Sequence, residues 1–222
     1  MPVERKKIIK PYLILCEGRD AQEFLIKYLN SEALAQDKRF SNDIQIFDFG
    51  GNDDIYNFLM NLRNMDGFDR VTNMAIIRDA EKDYTKACNE VSRSLKKSGF
   101  VSVEQCGTWA GDDTGLKVGF ILFPLDNNNG TLEDLCLRIL SEKNSKNILS
   151  AVDEFLEDME TTYGRVYRRK HKNRLHTYLS SSDEYVTKPL GLASSAGAFD
   201  WGSVELEPLK RFLTEGFSDQ SR

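Results

Sequence analysis

No apolar run in this chain is long enough to cross a bilayer. The longest, Val118 to Leu125, is broken by Pro124 and falls far short of the ~20 residues a span needs. Met1 to Lys7 carries charge with no apolar core behind it, so neither a secretory signal nor a membrane partner is expected, and a cytoplasmic location is. The four cysteines (Cys16, Cys88, Cys106, Cys136) form no C-x-x-C pair. With only two histidines there is little to build a zinc site from, and reduced thiols are the expectation. There is no Walker A segment and no G-x-G-x-x-G, which removes support for ATP or dinucleotide binding. No internal repeat is visible. A surplus of positive charge is also missing: 35 acidic against 30 basic residues give a net charge of -5, which argues against a generally basic nucleic-acid coat.

What is present is an ordinary soluble composition, 40% hydrophobic, able to bury a sizeable core. Charge is segregated along it. Acids collect at Asp48, Asp53, Asp54, Asp79, Glu81, Asp83, Asp112 and Asp113. Bases collect at Arg165, Arg168, Arg169, Lys170, Lys172 and Arg174. A carboxylate-rich site beside a basic stripe suits a phosphate-bearing substrate bridged by metal; a solvated helix face is the competing reading.

Apolar periodicity alternates between short runs and helical patterns. Strands are expected at Tyr12–Cys16, at 44–49, at Met74–Ile77 and at Lys117–Phe123. Helices are expected from Asp20 to about Ala35, from Ile55 (capped by Asn52 or Asp53), from Asp83 to Lys97, and from Thr131. Phe100 to Cys106 reads as extended and Gly107 to Gly115 as a polar loop. Beyond Asn144 the pattern is helical, over 148–163, 167–179 and 206–217, with a small-residue loop over 191–202. The alternation implies a mainly parallel sheet flanked by helices. Residues 1–143 form the expected α/β core, and 144–222 a helical C-terminal extension packed on it.

In a parallel sheet the C-terminal strand ends line one edge, where ligands bind. Glu17, Asp79 and Glu81 fall on that edge, with Asp48 and Asp126. Crowded carboxylates repel one another, and oxygen donors suit magnesium, which serves in-line displacement at phosphorus. Two residues apart on an extended segment, Asp79 and Glu81 would face the same side. Alternatively Glu17 is only an acid favoured at a helix N-terminus and Asp79 a cap.

Leu15-Cys16-Glu17-Gly18 followed by Asp79-Ala80-Glu81 resembles the Toprim domain of topoisomerases, bacterial primases and OLD-type nucleases. Phe123 to Asn127, Gly130 to Leu135, Lys172 to Leu179 and Phe199 to Trp201 look like a prokaryotic Toprim-like branch related to the OLD enzymes, over most of the chain. The resemblance implies a Toprim-like fold and a Mg²⁺- or Mn²⁺-dependent nuclease or phosphoryl-transfer protein acting on nucleic acid. It makes Glu17, Asp79 and Glu81 metal ligands, with Glu17 a general acid or base. It adds Thr131 and Glu133 as a second pair and Lys172 as the base that stabilises phosphoryl charge. Asp20, Asp83, Asp126 and His176 are further candidates. The OLD pattern has another acid where this chain has Ala21. That departure, and the lack of a fused ATPase or helicase-like domain, favour the alternative, a degenerate module of the same fold binding nucleic acid or a partner protein. A homo-oligomer is compatible with either.

Thr131 also reads as a helix N-cap with Asp134 as its capping-box partner. The basic stretch at Lys172 admits plain solvation or backbone contact with phosphate. Trp109 and Trp201 read as core caps or base-stacking platforms, and Cys16 as buried filler or a nucleophile.

Overall fold

In the computed structural model, described over residues 7–51, 55–142 and 146–218, five strands form one sheet in the order β2-β1-β3-β5-β4. The strands are β1 (Tyr12–Cys16), β2 (Ile44–Asp48), β3 (Asn73–Asp79), β4 (Thr108–Gly111) and β5 (Lys117–Phe123). All neighbours are parallel except β4, which runs antiparallel along β5. Every residue of β1 is buried. A parallel sheet covered on both faces needs such a run, because neither side can be polar.

Side chains of adjacent strand residues go to opposite faces, and two apolar clusters follow. Ile14, Cys16, Ala75, Ile77, Ile121 and Phe123 meet one set of helices. These are α1 (Gly18–Leu29), α5 (Leu132–Ser141), α6 (Lys146–Thr161), α7 (Lys170–Ser180), α8 (Leu190–Ser195) and α9 (Glu207–Gly216). Leu13, Leu15, Met74, Ile76, Val118 and Phe120 meet α3 (Ile55–Leu62) and α4 (Tyr84–Lys97) on the other face. The helices after β5 therefore share a core with β1 and β3. The 143/144 boundary, and the Asn52 or Asp53 cap expected for α3, lie outside the described residues. No helix among the described residues is long and apolar enough to cross a membrane.

Three expectations need correction. Helix α1 stops at Leu29 instead of Ala35, because the Asn30 side chain and backbone both donate to Ile26 O and close the last turn. A short helix, α2 (Lys38–Asn42), follows, with the Asp37 carboxylate accepting from the Arg39 amide. Residues 100–106, read as extended, join no strand of the sheet, and Phe100 and Val103 are buried. The loop expected at 107–115 contains β4. Its only large side chain, Trp109, stacks on Phe212 at 4.8 Å and donates Nε1–H to Phe212 O at 3.0 Å. The loop expected over 191–202 begins as α8, which packs on α1 so tightly that a Cβ on Gly191 would lie 2.7 Å from Glu23 Cβ.

Candidate metal centre

Strand β1 leads into α1 and then β2 on one side, while β3 pairs on the other side of β1. The C-terminal ends of β1 and β3 therefore flank a crevice where the strand order reverses. Glu17 leaves β1 there and Asp79 ends β3. The Glu17 amide donates to Ile77 O at 3.2 Å and so extends the ladder by one residue. Alternation sends Glu17 towards the face that Arg78 occupies. Asp79 goes to the α5 face, where its Oδ1 accepts the Leu132 amide at 2.9 Å. Asp79 is thus a cap, but of the helix following β5 and not of the one that follows its own strand.

Glu81 departs from the expected extended geometry. Its φ is +57°, and its backbone exchanges two 2.8 Å hydrogen bonds with Gly130. That bridge ties the loop after β3 to the turn before α5. The side chain is exposed and still close enough for its charge to act on both Glu17 and Asp79.

Glu133, in the first turn of α5, is 8% exposed and pairs with Lys172 of α7 at 2.7 Å. Thr131 and Asp134 form the capping box that starts α5, so the helix-cap reading of Thr131 holds. The remaining candidates have structural work at this edge or away from it. Asp20 accepts the Gly191 amide and joins α1 to α8. Asp83 caps α4 by accepting from Lys86 N. Asp126 pairs with Arg138. Asp48 accepts from the Gly18 and Gly50 amides at 2.9 and 2.7 Å and so holds the turn beside Glu17. His176 is exposed on α7.

Crowding shows in the proton affinities. Burial, then the charges of Glu133 and Glu17, lift the Asp79 carboxyl to about 8, against the lowering effect of the Leu132 amide. Burial also raises Glu17, with Arg78 opposing it and Glu81 adding to it. Glu133 goes the other way: burial would raise it, but the Lys172 bond, the Thr131 hydroxyl and the Lys172 charge hold it below the ordinary range.

Arg78 is the residue that the sequence reading passed over. It lies inside an apolar strand, is 1% exposed, and sits 3.4 Å from Glu17 Oε2 and 3.5 Å from Glu90 Oε2. Glu17 Oε2 and Arg78 Nε are both buried without a hydrogen bond. A lone arginine immediately before Asp79 was the available signal, since a buried guanidinium requires carboxylates around it.

Beyond Glu81 a cleft of about 680 Å³ opens, walled by Arg168, Arg169, His171 and Lys172 and floored by Gly130 and Thr131. Of the expected basic stripe, Lys170 and Arg174 are instead taken by Glu160 and Asp153. Trp201 packs on Phe24 at 5.0 Å and is a core cap, as is Trp109. Cys16 is buried.

All-oxygen donors and mutual repulsion fit a divalent cation in their chemistry. The spacing is less complete. Among the described residues no three His, Cys, Asp or Glu side chains gather at a point that could hold a metal ion. Arg78 and Lys172 draw Glu17 and Glu133 to separate partners.

Fold and site together define an α/β protein with an acidic crevice at a switch point and a basic cleft beside it. The chain belongs to the family described as protein of unknown function (DUF3226), whose model matches residues 11–218. No curated protein and no solved structure matches it.

Proposed function

We propose that this chain is a Toprim-like protein, its C-terminal helices an extension of the Toprim core, that uses Mg²⁺ or Mn²⁺ to cleave or transfer phosphodiesters of nucleic acid in the cytoplasm. The observation that carries the reading is that Glu17, Glu81 and Glu133 lie near enough to Asp79 at one switch-point edge for their charges to act on its carboxyl, beside a cleft walled by Arg168, Arg169, His171 and Lys172. A bound divalent ion would supply charge stabilisation to an in-line displacement at phosphorus. Glu17, Asp79 and Glu81 would have to close on it from positions that do not meet at one point here, with Glu133 and Thr131 as further oxygen donors. Lys172 neutralises Glu133 and stands at the cleft wall, placed to receive phosphoryl charge. Arg168, Arg169 and His171 would orient the backbone.

One observation favours a second reading, a non-catalytic binding module of the same fold. Glu17 and Glu133 each already face a cation of the protein, Arg78 and Lys172. Incubation with supercoiled plasmid and Mn²⁺ separates the two. The nuclease reading expects nicking that disappears in Glu17→Ala and Asp79→Ala. Cleavage that survives both substitutions removes the proposed centre, and a well-folded wild type that cleaves nothing supports the module.

A further inference from the structure

The outer face of α4 carries a charge pattern that the metal centre does not use. Lys86, Glu90, Arg93 and Lys97 are spaced 4, 3 and 4 residues apart, which places them on one stripe of the helix. From Lys86 to Lys97 the stripe runs roughly 16 Å. Two grooves lie along it and share Arg78 and Glu90. One, of about 370 Å³, is lined by Glu81, Lys82 and Lys86. The other, of about 330 Å³, is lined by Tyr56, Arg93, Ser94 and Lys97. A continuous path thus leads from Glu81, at the acidic crevice, to the far end of α4.

The inner groove is balanced, with Glu81, Asp83 and Glu90 against Arg78, Lys82 and Lys86, and the surplus of positive charge lies in the outer one. At the midpoint of the path Arg78 is 1% exposed and held between Glu17 and Glu90. Glu90 is the single acid among the described residues lining the outer groove, and it is already shared between Arg78 and Lys86. Arg93 and Lys97 have no ion pair among the described residues, and α3 across the groove carries no charge at all. This surplus of positive charge stands in a chain of net charge -5. Tyr56 of α3 is 39% exposed at the groove wall, a flat ring beside a row of cations. Cations that track a backbone together with an aromatic platform are what single-stranded nucleic acid requires.

We propose that the outer groove, through Arg93, Lys97 and Tyr56, binds the backbone of a single nucleic-acid strand and leads it to the Glu17–Asp79 edge. The inference deepens the function proposed above and rests on it for the class of ligand, but binding is read with metal absent. The test is fluorescence anisotropy of a labelled oligothymidylate in EDTA, with the full chain and a thermal melt of each variant as the folding control.

Arg93→Gln/Lys97→Gln removes two phosphate contacts, so the salt slope should fall by about 1.4 and affinity at 0.1 M salt by about 25-fold. Tyr56→Ala should weaken the oligonucleotide about tenfold and leave competition by linear polyphosphate unchanged. A folded Arg93→Gln/Lys97→Gln variant with wild-type affinity and slope overturns the groove. Tyr56→Ala without effect reduces the groove to a general polyanion surface and overturns the strand reading. Binding in EDTA without cleavage in Mn²⁺ keeps the groove and removes only the nuclease. Cleavage with no binding in EDTA removes the groove and spares the nuclease.

Discussion

Replacing Asp79 with asparagine removes a titrating carboxyl from the crowded edge and keeps an oxygen to accept the Leu132 amide. Its effect can be worked from the structure. The Asp79 carboxyl stands at about 8, some four pH units above its ordinary 3.8, because of burial and then the charges of Glu133 and Glu17. A folded-state acid with a raised affinity holds its proton while the unfolded chain has released it. Folding therefore loses stability as pH rises from about 4 to about 8 and loses nothing below that window. At ~1.4 kcal/mol per unit, the three units in play at pH 7 amount to ~4 kcal/mol. The residue as a whole keeps partial exposure, and screening reduces this to about 2 kcal/mol.

Asp79→Asn should then be more stable than wild type by about 2 kcal/mol at pH 7, or roughly 4–8 °C in Tm, with the two converging near pH 4. Urea denaturation followed by circular dichroism in EDTA at pH 4, 5.5, 7 and 8 would measure it. Added Mn²⁺ should stabilise wild type and leave the variant unmoved, since only a ligand bound to the folded state contributes. A wild type at least as stable as Asp79→Asn at pH 7 in EDTA would refute the reasoning.

Three further perturbations separate site from scaffold. Lys172→Met strips the partner from buried Glu133. Because Glu133 is held low, that pairing stabilises above the ordinary carboxylate range and is lost as pH falls below that range through the folded-state value; the variant should lose about 1 kcal/mol at pH 7 and progressively less as urea titrations are taken into acid. Thr131→Ala opens the capping box of α5 and should cost about 1 kcal/mol, read as a Tm lower by roughly 2–4 °C. Gly216→Ala places a Cβ 1.8 Å from the Trp109 ring, so calorimetry should show a loss of about 1–3 kcal/mol from overpacking.

The buried strands and the helices with clear apolar stripes were legible because period and burial coincide in them: Lys117–Phe123 and the capping box at Thr131 are read straight from residue order. Strand β4 was not, because Thr108–Gly111 has no alternation and is held by one tryptophan against a distant helix. Helix α8 was hidden by its small residues, which serve close packing on α1. At the site, Glu17 and Asp79 were visible as acids closing apolar runs. Arg78 was not, since a buried cation declares itself only when Glu17, at the end of β1, and Glu90, on α4, are seen on either side. The face of Glu81 was misjudged for a local reason: its left-handed backbone breaks the two-residue repeat.

Calorimetric titration of the full chain with Mn²⁺ at pH 7.5, wild type beside Glu17→Gln and Asp79→Asn, bears most directly on the acidic edge as a metal centre. The proposed function predicts a saturable binding event in wild type that both substitutions abolish while the variants stay folded. Saturable binding that persists unchanged in Asp79→Asn, or a folded wild type that takes up no Mn²⁺, would contradict it.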